Sequence, residues 1–166
     1  MRTSLIGPPA LLILTCTSLA TAAFGAPSKQ PSDVAAEIHS LEQTPLSSAA
    51  KQQRTALFTW VAASPDVHLK WCSSLLLDAP DRDKDLRGGL LVQAILSAAA
   101  FVIEHPDSQE DALLVARAGL RGALATYRAT TASNPRLTSP FFDHLAELET
   151  AGKLDDYIAP KLPSCK

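Results

Sequence analysis

The sequence predicts an all-α fold, a compact bundle or array of about six to seven helices stapled by one disulfide. Three observations carry this. Apolar residues recur at three- and four-residue spacings within segments bounded by Pro or Gly. No segment reads as an alternating strand of useful length. Of the three cysteines, Cys16 falls in an N-terminal leader, which leaves Cys72 and Cys165 as an even pair.

The leader comes first. Basic Arg2, an apolar stretch running from Ala10 through Cys16 to Leu19, and small residues after it have the layout of a secretory signal peptide. The signal is expected to span residues 1–22, cleaved after Ala22 or as late as Gly25, and to leave a single helical domain over residues 32–166. The apolar run is shorter than the roughly 20 residues that span a bilayer. Thr15, before Cys16, stands where a lipoprotein signal wants Gly or Ala. The expected destination is therefore secreted or periplasmic, where a Cys72–Cys165 bond within one chain is stable.

Ser32 or Asp33 is the expected N-cap of the first helix, with Val34, Ile38 and Leu41 on its apolar face and Thr44-Pro45 as its stop. The second helix, over "SSAAKQQRTALFTWVAA", aligns Ala50, Leu57 and Val61, with Gln53 among them and Trp60 at the edge. Ser64-Pro65-Asp66 reads as a cap, a proline at the first helical position and an acid at the positive helix end. It starts a third helix over "DVHLKWCSSLLL" that carries Cys72 on a largely apolar surface.

After the charged link "DAPDRDKD", the stretch from Leu90 to Ile103 has only Gln93 and Ser97 as polar residues. A helix apolar nearly all round is a core helix or a membrane span. Arg87 and Glu104 bracket a run short for a span, so it reads as the central buried helix. The next helix opens with Asp107 and Glu110 at capping-box spacing and carries Leu113, Leu120, Leu124 and Tyr127 as its stripe. Gly119, Gly122 and Ala123 leave one side small, suited to close approach at Ala98–Ala100, and Gly88-Gly89 reads as a further tight helix contact. Asn134-Pro135 is a break, Ser139-Pro140 a cap-and-proline start, Gly152 a C′ residue, and "LDDYIA" a last short helix. A weak echo between "ALFTW" at 56–60 and "ALATY" at 123–127 would suit degenerate helical hairpins.

The net charge of −2, with Arg and Lys dispersed among acids, lacks the basic stripe of a nucleic-acid binder. Asp81, Asp83 and Asp85 open like a calcium loop, but Leu86 replaces the turn glycine and Val92 the bidentate glutamate. His39, His68, His105 and His144 form neither His-Glu-x-x-His nor the Glu-x-x-His of a di-iron bundle. Gly-x-Ser-x-Gly, Cys-x-x-Cys and a P-loop are missing. The sequence thus assigns no catalytic, cofactor-binding or metal residues, and its only site pair is Cys72 and Cys165. The expected function is a non-enzymatic exported module whose partner is another protein. The alternative is a carrier of an apolar small molecule or lipid, with a cavity between helices near Phe101, Phe141 and Phe142.

Overall fold

The computed structural model describes residues 29–165, so the expected signal peptide lies outside the described residues. The fold is all-α, seven helices with no strand among the described residues. They are α1 (Pro31–Gln43), α2 (Ala50–Ala63), α3 (Ser74–Leu77), α4 (Lys84–Glu104), α5 (Ala112–Ser133), α6 (Pro140–Thr150) and α7 (Leu154–Ile158).

Helix α4 is the axis. Gln93, Ala94, Leu96 and Ala98–Ala100 are buried, as the near-absence of polar residues predicts. Length and composition alone would let this helix cross a membrane, yet here its flanks are covered by protein. Leu96, Ala99 and Ala100 pack with Val34, Ile38 and Leu41 of α1 and Leu57 and Val61 of α2. On the other side, Leu90 and Ala94 join Leu120, Leu124 and Tyr127 of α5, Phe142 and Leu145 of α6, and Leu154 and Ile158 of α7. Phe142 is fully buried and adjacent Phe141 lies against the cluster edge in a T-shaped pair with it, as the roughly 100° divergence of helical neighbours requires.

Close packing of α4 on α5 comes from Gly119 and Gly122, as expected, but it meets α4 at other residues than Ala98–Ala100. A Cβ at Gly119 would press on the Trp71 ring and stand 2.6 Å from the Ala94 carbonyl oxygen. One at Gly122 would meet Ser97 and stand 2.6 Å from Glu42 Oε1. The contact therefore falls at Ala94 and Ser97, just N-terminal to Ala98–Ala100. Gly88 and Gly89 face open space, with nothing within 4 Å of an added Cβ, so they make no tight helix contact.

The expected third helix is corrected as well. Residues 67–72 are not helical, and Cys72 lies in this connection just before α3. Val67, Leu69 and Trp71 are partly buried against the core while His68 and Lys70 are exposed, a period-two pattern that seats every second side chain on the bundle. The caps move too. Helix α1 begins at Pro31 with Gln30 preceding it, and neither Ser32 nor Asp33 caps it. Asp107 lies in a 3-10 turn (Pro106–Ser108), and Asp111 caps α5 by accepting from the Leu113 and Leu114 amides at 3.1 and 3.0 Å. Ser139 precedes α6 as expected, but its hydroxyl donates to Asp83 Oδ2 at 2.5 Å instead of capping. Gly152 does follow α6 at C′, with φ of +70°. The "ALFTW" and "ALATY" segments differ in burial: Thr126 and Tyr127 are buried, whereas their counterparts Thr59 and Trp60 are exposed and half-buried.

The disulfide joins Cys72 to Cys165, with Cα atoms 5.0 Å apart across 93 residues of sequence. It ties the segment ahead of α3 to the 3-10 segment Ala159–Ser164 that follows α7. Tyr157 Oη, donating to the Leu75 carbonyl at 2.7 Å, and Lys161, paired with Asp78 at 2.5 Å, reinforce the same junction.

Candidate functional site

Two surfaces stand out, one polar and one apolar. The polar one grows from the two polar residues of α4. Gln93 is fully buried, and its amide nitrogen donates to Ser97 Oγ at 3.3 Å. Ser97 donates to Glu42 Oε1 of α1 at 2.6 Å, and Gly122 permits this by leaving the space above Ser97 free of a side chain. The second Glu42 oxygen lies 3.2 Å from His39 Nδ1, and His39 Nε2 lies 3.1 Å from Glu104 Oε1 at the end of α4. At the other end, Arg54 Nε of α2 donates to Gln93 Oε1 at 3.3 Å. A polar chain thus crosses an apolar core from Arg54 to Glu104 and satisfies its buried members, as a low-dielectric interior demands.

The outer end of this chain opens into a cleft of about 290 Å³, with Phe101 on its wall and Arg121, Arg128 and Glu149 on its far side. Glu149 accepts a hydrogen bond from Arg128 at 2.6 Å and pairs with Arg121 at 3.4 Å. The chemical order along the chain is Ser97, Glu42, His39. The hydroxyl meets a carboxylate, and the imidazole stands on the carboxylate's other side, which is not the order in which a histidine takes a serine proton. The arrangement cross-links α1, α2 and α4.

Its imidazole is His39. Burial, the largest influence, pulls the imidazole pKa down, but the hydrogen bonds and negative charges of Glu42 and Glu104 outweigh it and raise it above 6.5. A raised folded-state pKa stabilises the fold at pH values below the unfolded value of 6.5, and the contribution disappears as pH climbs through the folded value. The expected result is a wild-type melting temperature that exceeds that of His39→Gln most below about pH 6.5 and converges on it as pH rises through the raised folded-state pKa. Paired thermal melts across that range check it, and a difference independent of pH would sink it.

A second knot joins α5 to α6. Tyr127 donates to Asp143 Oδ1 at 2.6 Å and accepts from the Ser139 amide at 2.8 Å. Burial, then the bond to Asp143, pushes the phenol up to about 12, so it acts as a protonated donor. Asp83 is taken up by Ser139, and among the described residues no group of three His, Cys, Asp or Glu side chains is placed to hold a metal ion.

The apolar surface lies between α2 and α4. One hollow of about 370 Å³ has Phe58, Val92 and Gly89 in its wall with Lys51, Arg54, Thr55 and Thr59. A neighbouring hollow of about 270 Å³ shares Arg54 and Gly89 and continues to Leu46, Leu86, Leu90 and Leu137, with Asp85 at that end. Together they form a groove open to solvent. Leu46, Phe58 and Leu137, three of the four large exposed apolar residues among the described residues, stand along it at 55%, 41% and 38% exposure. Its depth follows from Gly89, where no side chain fills the space.

Helical spacing foretold the inward faces of α2 and α4 but not this outward one. The available signal was the pair Gly88-Gly89 beside Phe58 and Leu46, residues that the inward stripe leaves over. Of the rings expected to line a cavity, Phe142 is consumed in core packing, Phe141 lies at the edge of that core, and Phe101 stands in the polar cleft. No known family, curated protein or solved structure matches this chain.

Proposed function

We propose that this chain is an exported, non-enzymatic interaction module whose contact face is the groove between α2 and α4. The observation that supports this most is the gathering of exposed Leu46, Phe58 and Leu137 along one groove. Exposed apolar residues on a monomer are ordinarily scattered singly, whereas a contiguous set marks a surface with a partner. The fold behind the groove is suited to presenting it. The polar chain from Arg54 through Gln93 ties α2 to α4, and the disulfide staples the far end of the bundle. The leader layout and a disulfide-bonded pair support an oxidising destination outside the cytosol.

Site-specific photo-crosslinking tests the contact face. A benzophenone side chain at Phe58 should yield a discrete protein adduct in the exported fraction, and the same probe at exposed Asp107, in the turn after α4, should not. Adducts of equal yield at both positions would refute the assignment. So would their absence from both, or a saturable rise in melting temperature with a single apolar small molecule, which would favour a carrier.

A further inference from the structure

The groove has a charge pattern that restricts what can occupy it. Lys51 and Arg54 lie three residues apart on α2, so they sit on adjacent turns along one wall. Among the described residues neither forms an ion pair. Arg54 spends its donors on neutral acceptors, Gln93 Oε1 and the Pro45 carbonyl, each at 3.3 Å. A half-buried guanidinium with only neutral partners keeps an uncompensated positive charge, and burial pushes its pKa down accordingly. Helix α2 contains no acidic residue to offset it. The one acid in the groove is Asp85, at the Leu46–Leu137 end.

The shape adds a second restriction. Helices α2 and α4 form the walls at the Phe58 end, Thr126 and Thr130 of α5 join them at the Leu46–Leu137 end, and the bare backbone at Gly89 admits another backbone closely. A small apolar ligand lying here would keep one face in water, whereas ligand pockets bury roughly 70–90% of their ligand. A third helix laid along two others buries an apolar stripe and keeps its polar face wet. The wall available is the 14 residues of α2, about 21 Å of helix.

We infer that the groove between α2 and α4 receives an amphipathic helix of a partner protein that sets an Asp or Glu against Lys51 and Arg54, beside an apolar stripe packed on Phe58, Val92 and Leu46. The inference rests on the interaction reading above and adds the sign of the partner's charge. It predicts a partner of roughly four turns, with no acid opposite Asp85.

The test is a display library of about 16-residue helix-patterned peptides, Leu or Phe at i, i+3, i+4 and i+7, with flanking positions randomised between Glu and Lys, selected on the purified full chain. Enriched peptides should carry Glu beside the apolar stripe, bind more weakly as salt rises, and lose roughly threefold to tenfold in affinity against Lys51→Glu. Lys51 is exposed, so that variant should fold, and Thr55→Glu places a carboxylate in the same wall with both cations intact. A Glu→Lys peptide should recover affinity for Lys51→Glu. Equal enrichment of Glu and Lys, or affinity indifferent to Lys51→Glu and Thr55→Glu, would overturn the charge assignment. Phe58→Asp separates the two claims. Binding abolished by it but blind to charge leaves the groove as the contact face and refutes only the acidic partner, whereas binding untouched by it refutes both. Failure of every peptide, with sodium oleate bound in the groove instead, would also refute the inference.

Discussion

Replacing Cys165 with serine should lower the stability of the fold by about 2–4 kcal/mol, read from denaturant unfolding of the variant against the wild type. The bond closes 93 residues of chain, for which restriction of the unfolded state alone sets a ceiling of roughly 4–5 kcal/mol. The expected loss is below that ceiling because the bond is not alone at its junction. Tyr157 still donates to the Leu75 carbonyl, Lys161 still pairs with Asp78, and Leu162 and Ile158 still lie on the core when the sulfurs part. The effect should be confined to stability, since both cysteines lie in or against the core cluster of α5, α6 and α7 and neither lines the groove beside Lys51 and Phe58. The same sample reports the compartment. Intact mass of the exported species should begin at residue 23 or 26 and be two hydrogens short of the reduced mass. A variant as stable as the wild type, or free thiols in exported material, would contradict the structural role assigned to this bond.

How far the sequence speaks can be judged from particular residues. Gln93 and Ser97 stood out as the only polar residues in an apolar run, and burial of α4 was legible from that. Their partner was not. Ser97 meets Glu42 across 55 positions of sequence, and His39 meets Glu104 across 65, so these bonds depend on how α1 crosses α4, which no local pattern encodes. The segment Val67-His68-Leu69-Lys70-Trp71 is a different case. Its alternation of apolar and polar residues is a period-two signal, masked because Val67, Trp71 and Leu75 also recur every four residues. Tertiary packing chose between two readings that the sequence supports equally: Trp71 covers Gly119, and an extended chain brings it there. The groove was hidden for a further reason. Phe58 and Leu46 fall off the inward stripe, and a single exposed apolar residue carries no weight until several share one surface.

The glycines give the sharpest contrast, because two pairs on adjoining helices should respond to the same substitution with opposite signs. In a helix interior, glycine to alanine removes unfolded-state freedom and gains about 0.5–1 kcal/mol where the new methyl group fits. At Gly88 and Gly89 of α4 nothing lies within 4 Å of that methyl, so each substitution should stabilise by about that amount. At Gly119 and Gly122 of α5 the space is already taken. The Gly119 methyl would meet the Ala94 carbonyl, a backbone atom held by α4 itself, as well as the Trp71 ring. Backbone cannot rotate aside as a side chain does, so α4 and α5 must part, loosening Leu120 and Leu124 from Leu90 and Ala94 along the same face. Overpacking of this kind costs about 1–3 kcal/mol, and the upper half of that range is expected here, about 2–3 kcal/mol net for Gly119→Ala. Gly122→Ala should cost a similar amount by another route: its methyl displaces Ser97 and strains the 2.6 Å bond to Glu42, which leaves a buried carboxylate oxygen without its donor. Four single variants, unfolded in urea under one buffer, separate the cases. Stabilisation by Gly119→Ala, or loss from Gly88→Ala matching that at Gly119, would mean that α4 and α5 do not meet at Ala94 and Ser97.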